Sequence, residues 1–247
     1  MHKVSIIIPY YKKELFIKKT IRSVLNQTYT NFEIILLYDD TDKKDLDFIR
    51  KLKSLDKRIK LFINKKNLGA GRSRNKGIEL AKGEYLCFLD ADDTWKKNKL
   101  RDQLKFMKYN RYLATHTSYE IVNLNNRVIA YRKAKNFYKY QELLPSCDIG
   151  LSTVILNRKI LKKKITFPKI KTKEDFVFWL MILKRGFSIH AFDKKLTQWT
   201  KSNNSLSSNT IQKLLDGYLV YRKYMKLSLI TSIYYLIILS INFLKKK

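Results

Sequence analysis

Along the first hundred residues, short apolar runs alternate with longer segments whose apolar positions recur every three or four residues. Residues 4–8 form a β-branched run ended by Pro9, the pattern of a strand buried on both faces. Residues 15–26 carry Ile17, Ile21, Val24 and Leu25 on one stripe and predict a helix. A second strand is predicted at 33–37, a polar helix near 45–54, a third strand at 59–63, a helix over 71–82 stopped by Gly83, and a fourth strand at 85–89. Strands alternating with helices through about residue 110 imply βαβ units and a mainly parallel sheet. Beyond that point the pattern loosens. Residues 113–122, 127–134 and 152–157 are candidate strands. Residues 173–185 predict a helix with Phe176, Trp179, Leu180 and Leu183 on one face. Two late strands at 188–192 and 196–200, a polar loop at 202–209 and a helical stretch from Thr210 complete the reading.

Hydrophobic residues make up 45% of the 247, enough for a sizeable core, and the 7 glycines and 3 prolines exclude a collagen-like or linker-rich chain. Cys87 lies in an apolar run, Cys147 stands apart, and His2, His116 and His190 are scattered, so neither a zinc site nor a disulfide framework is expected. Cysteine usage suits a reducing cytosol, and a strand-like run directly at the start leaves no place for a signal peptide. The net charge of +31 has two readings: lysine spread over solvated faces, or a polyanionic partner such as nucleic acid or an anionic membrane surface.

The acidic residues are placed at strand ends. Asp39 and Asp40 follow the second predicted strand, and Asp90, Asp92 and Asp93 follow the fourth. In an open parallel sheet these ends form the ligand crevice. Asp90 and Asp92, two residues apart, share a side of extended chain, and hard oxygen ligands at that spacing suit Mg²⁺ or Mn²⁺ together with substrate phosphates. An acid pair in a solvated turn fits the same residues. Between the clusters lies Asn67-Leu68-Gly69-Ala70-Gly71-Arg72-Ser73-Arg74-Asn75-Lys76-Gly77. Glycines at a helix start, with Arg72 and Arg74, favour a diphosphate, although this is neither a P-loop nor a dinucleotide fingerprint.

In order, these segments resemble the family 2 glycosyltransferases of the GT-A fold. The resemblance runs through Val4-Ser5-Ile6-Ile7-Ile8-Pro9-Tyr10-Tyr11, Ser23-Val24-Leu25-Asn26-Gln27-Thr28-Tyr29, Phe32-Glu33-Ile34-Ile35, the run from Asn67 to Gly77, Gly83-Glu84-Tyr85, and Phe88-Leu89-Asp90-Ala91-Asp92-Asp93. It implies an α/β fold with a Rossmann-like, mainly parallel sheet flanked by helices. The catalytic domain would be 1–209, with a nucleotide-binding half at 1–110 and an acceptor-side half at 111–209, followed by a helical segment at 210–247.

The resemblance also implies roles. Pro9 and Tyr10 would line the base pocket, Asp39 would contact the base with Asp40 as its substitute, and Asp90 would approach the ribose. Asn67, Gly69, Arg72, Arg74 and Asn75 would border the donor, and Asp92 would bind Mg²⁺ or Mn²⁺. Asp175, in the pair Glu174-Asp175, would be the general base of an inverting hexosyl transfer from a nucleotide-sugar, UDP being the commonest carrier, to a glycan or lipid-linked acceptor. Without the resemblance, Thr172-Lys173-Glu174-Asp175 reads equally as a helix start whose acids suit the dipole.

The chain departs from the family pattern at Tyr38, which stands in place of the first of two aspartates, and at Asp40-Thr41-Asp42. It lacks Gln-x-x-Arg-Trp, which processive synthases carry, so a single addition is expected. Trp199 and Ser205-Leu206-Ser207 match the family's late loop loosely. Residues 227–244 contain no charge and are flanked by lysines; as a helix of roughly 27 Å they fall just short of the about 30 Å membrane core. Their serines, threonine and asparagine favour a helix lying on a membrane or packing on a partner, and hence a peripheral enzyme at the inner face of the cell membrane.

Two rival classes explain less. A nucleic-acid-binding protein would leave the acidic clusters without a purpose, so no nucleic-acid partner is expected. A sugar nucleotidyltransferase would carry a glycine-rich, lysine-containing loop after Ile8, which is missing here.

Overall fold

The computed structural model describes residues 2–163, 165–201 and 210–245. The alternation at the start of the chain becomes β1 (Val4–Tyr10), α1 (Glu14–Leu25), β2 (Phe32–Tyr38), α2 (Leu46–Lys53), β3 (Ile59–Ile63), α3 (Ala70–Leu80) and β4 (Tyr85–Phe88). A two-residue β5 (Thr94–Trp95) and α4 (Lys99–Tyr109) follow. The apolar pattern hides α4 because two of its buried positions are Lys99 and Gln103, which bond to each other at 2.9 Å. The second half contributes β6 (Ala114–Val122), β7 (Val128–Arg132), α5 (Tyr140–Leu143), β8 (Ile155–Asn157), α6 (Glu174–Lys184), β9 (His190–Thr200), α7 (Thr210–Leu219) and α8 (Leu229–Leu244).

The strands form one sheet in the order β3-β2-β1-β4-β8-β6-β9-β5, with β7 paired to β6. The first four are parallel: Ile6 lies opposite Ile34 on one side and Cys87 on the other. β8 runs against both β4 and β6, whereas β6 and β9 are parallel to each other. Because side chains alternate across a strand, the sheet carries two cores. Ile6, Ile8, Ile34, Leu36 and Cys87 pack with Ile17, Ile21 and Ile49 of α1 and α2 and with Leu104 of α4. Ile7, Ile35, Leu37, Leu86 and Phe88 pack on the other face with α6. Helices on both faces explain why the parallel strands read as unbroken apolar runs.

Three expectations are corrected. The two late strands are one, β9, interrupted by register shifts that leave Asp193 and Lys194 unpaired between Phe192 and Lys195. Asp193 instead accepts a bond from Ser118 Oγ at 2.6 Å. Helix α6 is buried nearly all round, including Val177, Phe178 and Ile182, because Val220, Tyr221, Met225 and Leu239 from the C-terminal segment join its core. Finally, α8 begins at Leu229, with Ser228 accepting a bond from the Thr231 N–H. Its 16 residues span about 24 Å, and among the described residues no helix is long and apolar enough to cross a membrane. The predicted loop at 202–209, with Ser205-Leu206-Ser207, lies outside the described residues.

Candidate active site

At the carboxyl ends of the parallel strands, Arg74 of α3 ties the loop after β4 to the start of α6. Helix α6 begins abruptly: Lys173 takes a left-handed conformation (φ 63°), so Glu174 and Asp175 form its first turn. A cleft of about 210 Å³ opens beside them, lined among others by Asp90, Asp93, Tyr119, Ser152, Asp175 and Trp199. Two of the predicted residues, Asp90 and Asp175, therefore face one space although 85 positions separate them.

The acidic segment after β4 is not extended, contrary to expectation. The Asp93 N–H donates to the Asp90 carbonyl at 3.1 Å, closing a turn that sends the carboxylates to different partners. Asp90 accepts from Arg74 at 2.7 Å. Asp92 pairs with Lys13 at 2.8 Å and keeps 18% of its side chain exposed. Asp93 is buried, accepting from Ser152 Oγ at 2.6 Å and from the Thr200 N–H at 3.1 Å. Burial first, then the neighbouring Asp90 charge, raises the carboxyls of Asp92 and Asp93; Lys13 only partly offsets this at Asp92.

Arg74 is the keystone of the site. Its side chain is only 4% exposed, and besides Asp90 its guanidinium holds Glu174 at 2.5 Å. Despite the cost of burial, these two carboxylates raise its already high pKa. Asp175, next to Glu174, has its carboxyl pushed up to about 7 by burial first and the Glu174 charge second, against the opposing pull of Arg74 and the Phe176 N–H. A carboxyl poised there can exchange a proton with a substrate hydroxyl near neutrality.

The other predicted donor residues divide. Arg72 and Asn67 are exposed and Pro9 is partly exposed. Asp39 is buried: its carboxylate accepts from the Leu68 and Gly69 N–H groups at 2.8 and 2.9 Å and from Asn64 Nδ2 at 2.8 Å. Gly69 has φ +80°, a conformation that L side chains rarely adopt, so the loop entering α3 is shaped by a glycine and pinned by Asp39. Asp40 is buried and accepts from the Asp42 N–H at 3.1 Å. Tyr10 is fully buried, stacked on Tyr38 at 5.5 Å, with its hydroxyl donating to Asp45 at 2.7 Å. Asn75 clamps the Phe167 backbone through both its amide atoms, each at 2.8 Å. Tyr10, Asp39 and Asn75 thus brace loops at this end of the sheet, and Arg74 joins the cleft residue Asp90 to Glu174.

Sequence reading missed Lys13, Tyr119 and Ser152, and named no role for Asp93 or Cys147, which also line or brace the cleft. The Ser152 carbonyl accepts from Trp95 Nε1 at 2.7 Å, so its segment is fixed by a core aromatic. No local motif marks Tyr119, Cys147 or Ser152, which come from β6 and from the irregular chain before β8, and Lys13 is one of many lysines in the sequence.

Among the described residues, no three His, Cys, Asp or Glu side chains gather as a metal site. The donor chemistry nevertheless fits a divalent cation completed by a ligand's phosphates. Among the described residues, Asp90 and Glu174 pair with Arg74 and Asp92 pairs with Lys13, while Asp93 and Asp175 add two more carboxyls, and Asp92 offers a partly open hard oxygen ligand.

The family model described as "Glycosyl transferase family 2" matches residues 5–166. A UDP-Glc:alpha-D-GlcNAc-diphosphoundecaprenol beta-1,3-glucosyltransferase of Escherichia coli is 38% identical over 213 residues, covering 85% of this chain and 82% of that protein. Among solved structures, Staphylococcus aureus TarS in complex with UDP-GlcNAc matches with a TM-score of 0.69 at 22% identity, over 95% of this chain and 70% of that one. A mannosyltransferase of Pyrobaculum calidifontis in complex with GDP-Man and Mn²⁺ matches with a TM-score of 0.68 at 15% identity, over 91% and 64%. The fold is GT-A, as expected.

Proposed function

Because the chain belongs to glycosyl transferase family 2, we propose that it transfers a single hexose, with inversion, from a UDP-sugar to a hydroxyl of a lipid-linked or envelope-polysaccharide acceptor. The observation that carries this reading is the shared cleft: Asp175, its carboxyl raised to about 7, faces Asp90 across a space at the strand ends. The acceptor class is supported by the E. coli relative, whose name specifies a diphosphoundecaprenol-linked sugar. UDP is supported by the TarS complex.

In this reading Asp175 takes the proton from the acceptor hydroxyl as its oxygen attacks the anomeric carbon. The sugar–diphosphate bond breaks on the opposite face, so the configuration inverts. The Arg74–Glu174 pair holds the first turn of α6 and thereby aims Asp175. Asp90 would receive the ribose, and the exposed Arg72 would lie near the diphosphate. Asp92 would hold Mg²⁺ or Mn²⁺, which when bound supplies positive charge to the departing diphosphate. The neighbour solved with Mn²⁺ supports the use of such an ion.

The test is binding of UDP, GDP and dTDP, with and without Mn²⁺, to the natural chain and to Asp92→Ala. Metal-dependent binding of UDP that Asp92→Ala loses is the expected result. A folded protein that binds none of the three refutes the donor reading.

A further inference from the structure

The C-terminal helices turn a large apolar surface outward. On α8, Ile230, Ile233, Tyr234, Ile237, Ile241 and Leu244 are between 45% and 82% exposed. Their spacing of three, one, three, four and three places them on one side of the helix. The opposite side, through Ser232 and Leu239, is buried against the body. On α7, Ile211, Leu214 and Leu215 are exposed as well, at 44% to 71%. A stripe about 24 Å long on α8 alone, on a helix that packs against α7, is of the size that marks an interaction surface.

Charge identifies what would cover it. Arg222, Lys223 and Lys226 are exposed just before α8, and Lys245 is exposed at its end, with Lys246 and Lys247 next in sequence. From residue 210 to the end, Asp216 is the single acidic residue in the sequence. It is 2% exposed, its carboxylate accepting from the Thr172 N–H at 2.8 Å and the Thr172 hydroxyl at 2.7 Å. The exposed charge that the described residues of this segment carry is therefore entirely positive.

We propose that α7 and α8 dock this enzyme onto an anionic lipid bilayer, with α8 lying in the plane of the headgroups. The stripe enters the acyl boundary while the flanking lysines and Arg222 meet lipid phosphates. That division of labour, apolar face below and cations at the rim, is what an interfacial helix requires. α7 also hooks, through Asp216, onto Thr172 at the entry to α6, so docking is coupled in space to the helix that bears Asp175.

The test is flotation of the full chain with vesicles of phosphatidylcholine alone or with about a third phosphatidylglycerol. The vesicles contain no acceptor and no nucleotide, so the outcome is independent of sugar transfer. The expected result is flotation with the anionic vesicles, about tenfold weaker with neutral ones and reduced by salt. Ile233→Glu/Ile237→Glu, at half-exposed positions, should reduce it at least tenfold. Arg222→Gln/Lys223→Gln/Lys226→Gln should abolish the preference for anionic lipid. Circular dichroism and UDP binding report whether each variant is folded. A natural chain that stays in solution with anionic vesicles overturns the proposal. So does a stable dimer by size exclusion that ignores vesicles and that the Glu variants split, since a second copy would then be the occupant.

Discussion

Glu174→Gln tests whether Asp175 owes its proton affinity to its neighbour. In water an aspartyl carboxyl titrates near 3.8; here it is raised to about 7. At about 1.4 kcal/mol per decade, ionising it in the fold costs about 4 kcal/mol more than in water, an order-of-magnitude figure. After burial, the Glu174 charge is the largest cause. Two charges about 4 Å apart interact by about 1 kcal/mol in water and about 4 kcal/mol in a partly screened protein surface, so losing one corresponds to roughly one to three pH units. The guanidinium of Arg74, released from Glu174, would then act more fully on Asp175, which pulls in the same direction. The assay is kcat/KM against pH, with a UDP-sugar and a soluble acceptor at saturating Mn²⁺. The natural enzyme should gain activity as pH rises through about 7, because the base works only when deprotonated. The Glu174→Gln enzyme should show the same rise at least one unit lower, with less activity at its plateau because a weaker base accepts the proton. A limb that stays in place, or moves upward, would refute this account of the pair.

The same carboxyl makes a stability prediction with a definite sign. Its folded pKa lies above its unfolded one, so the native state holds the proton longer and loses stability as pH rises from about 4 through about 7. Asp175→Asn should therefore be the more stable protein at pH 8 in urea melts and show no advantage at pH 4. Glu33 is the reverse case: burial raises its carboxyl, but Lys60, Ser5, the Lys82 N–H and Lys3 outweigh this and hold it at about 2. Its contribution, about 3 kcal/mol, is present above about 4.5 and lost as pH falls toward 2, so Glu33→Gln should cost that much at pH 7 and progressively less in acid. Arg74→Met, which strands Asp90 and Glu174, should destabilise by about 3–5 kcal/mol, far more than Arg72→Met, for which denaturant midpoints should barely move. In Gly77→Ala the new methyl would sit 2.4 Å from Ile7 Cγ2. Overpacking of about 1–3 kcal/mol should outweigh the helix-propensity gain of about 1, and Ile7→Ala, which removes the γ carbons the methyl would meet, should show a favourable coupling with it in a double-mutant cycle.

What could be read from the chain beforehand depended on periodicity. The buried parallel strands and the helices between them are legible because their apolar positions repeat, and topology places Asp90 at the crevice, whereas Asp175 is marked by the family resemblance alone, its residues reading equally as a helix start. What stayed hidden was direction. Tyr10, Asp39 and Asn75 lie where a donor pocket belongs, yet each side chain turns into the protein to hold a loop. Arg74 looked like a phosphate ligand because a cation beside glycines usually is one; its two carboxylate partners lie 16 and 100 positions away. The bulge in β9 was equally invisible, since the unpaired Asp193 and Lys194 break the apolar pattern just as a turn would.

The hook from Asp216 to Thr172 bears on how such enzymes exchange parts. The tail is keyed to this body: Asp216 fits the turn before α6, and the Tyr221 hydroxyl donates to the Leu144 carbonyl at 2.7 Å. A tail grafted from another transferase would need a carboxylate and a hydroxyl at the same two places, or it would leave Thr172 and Leu144 without their partners. Exchanging C-terminal segments between such enzymes is therefore a problem of matching these two fasteners before it is a problem of choosing a tail.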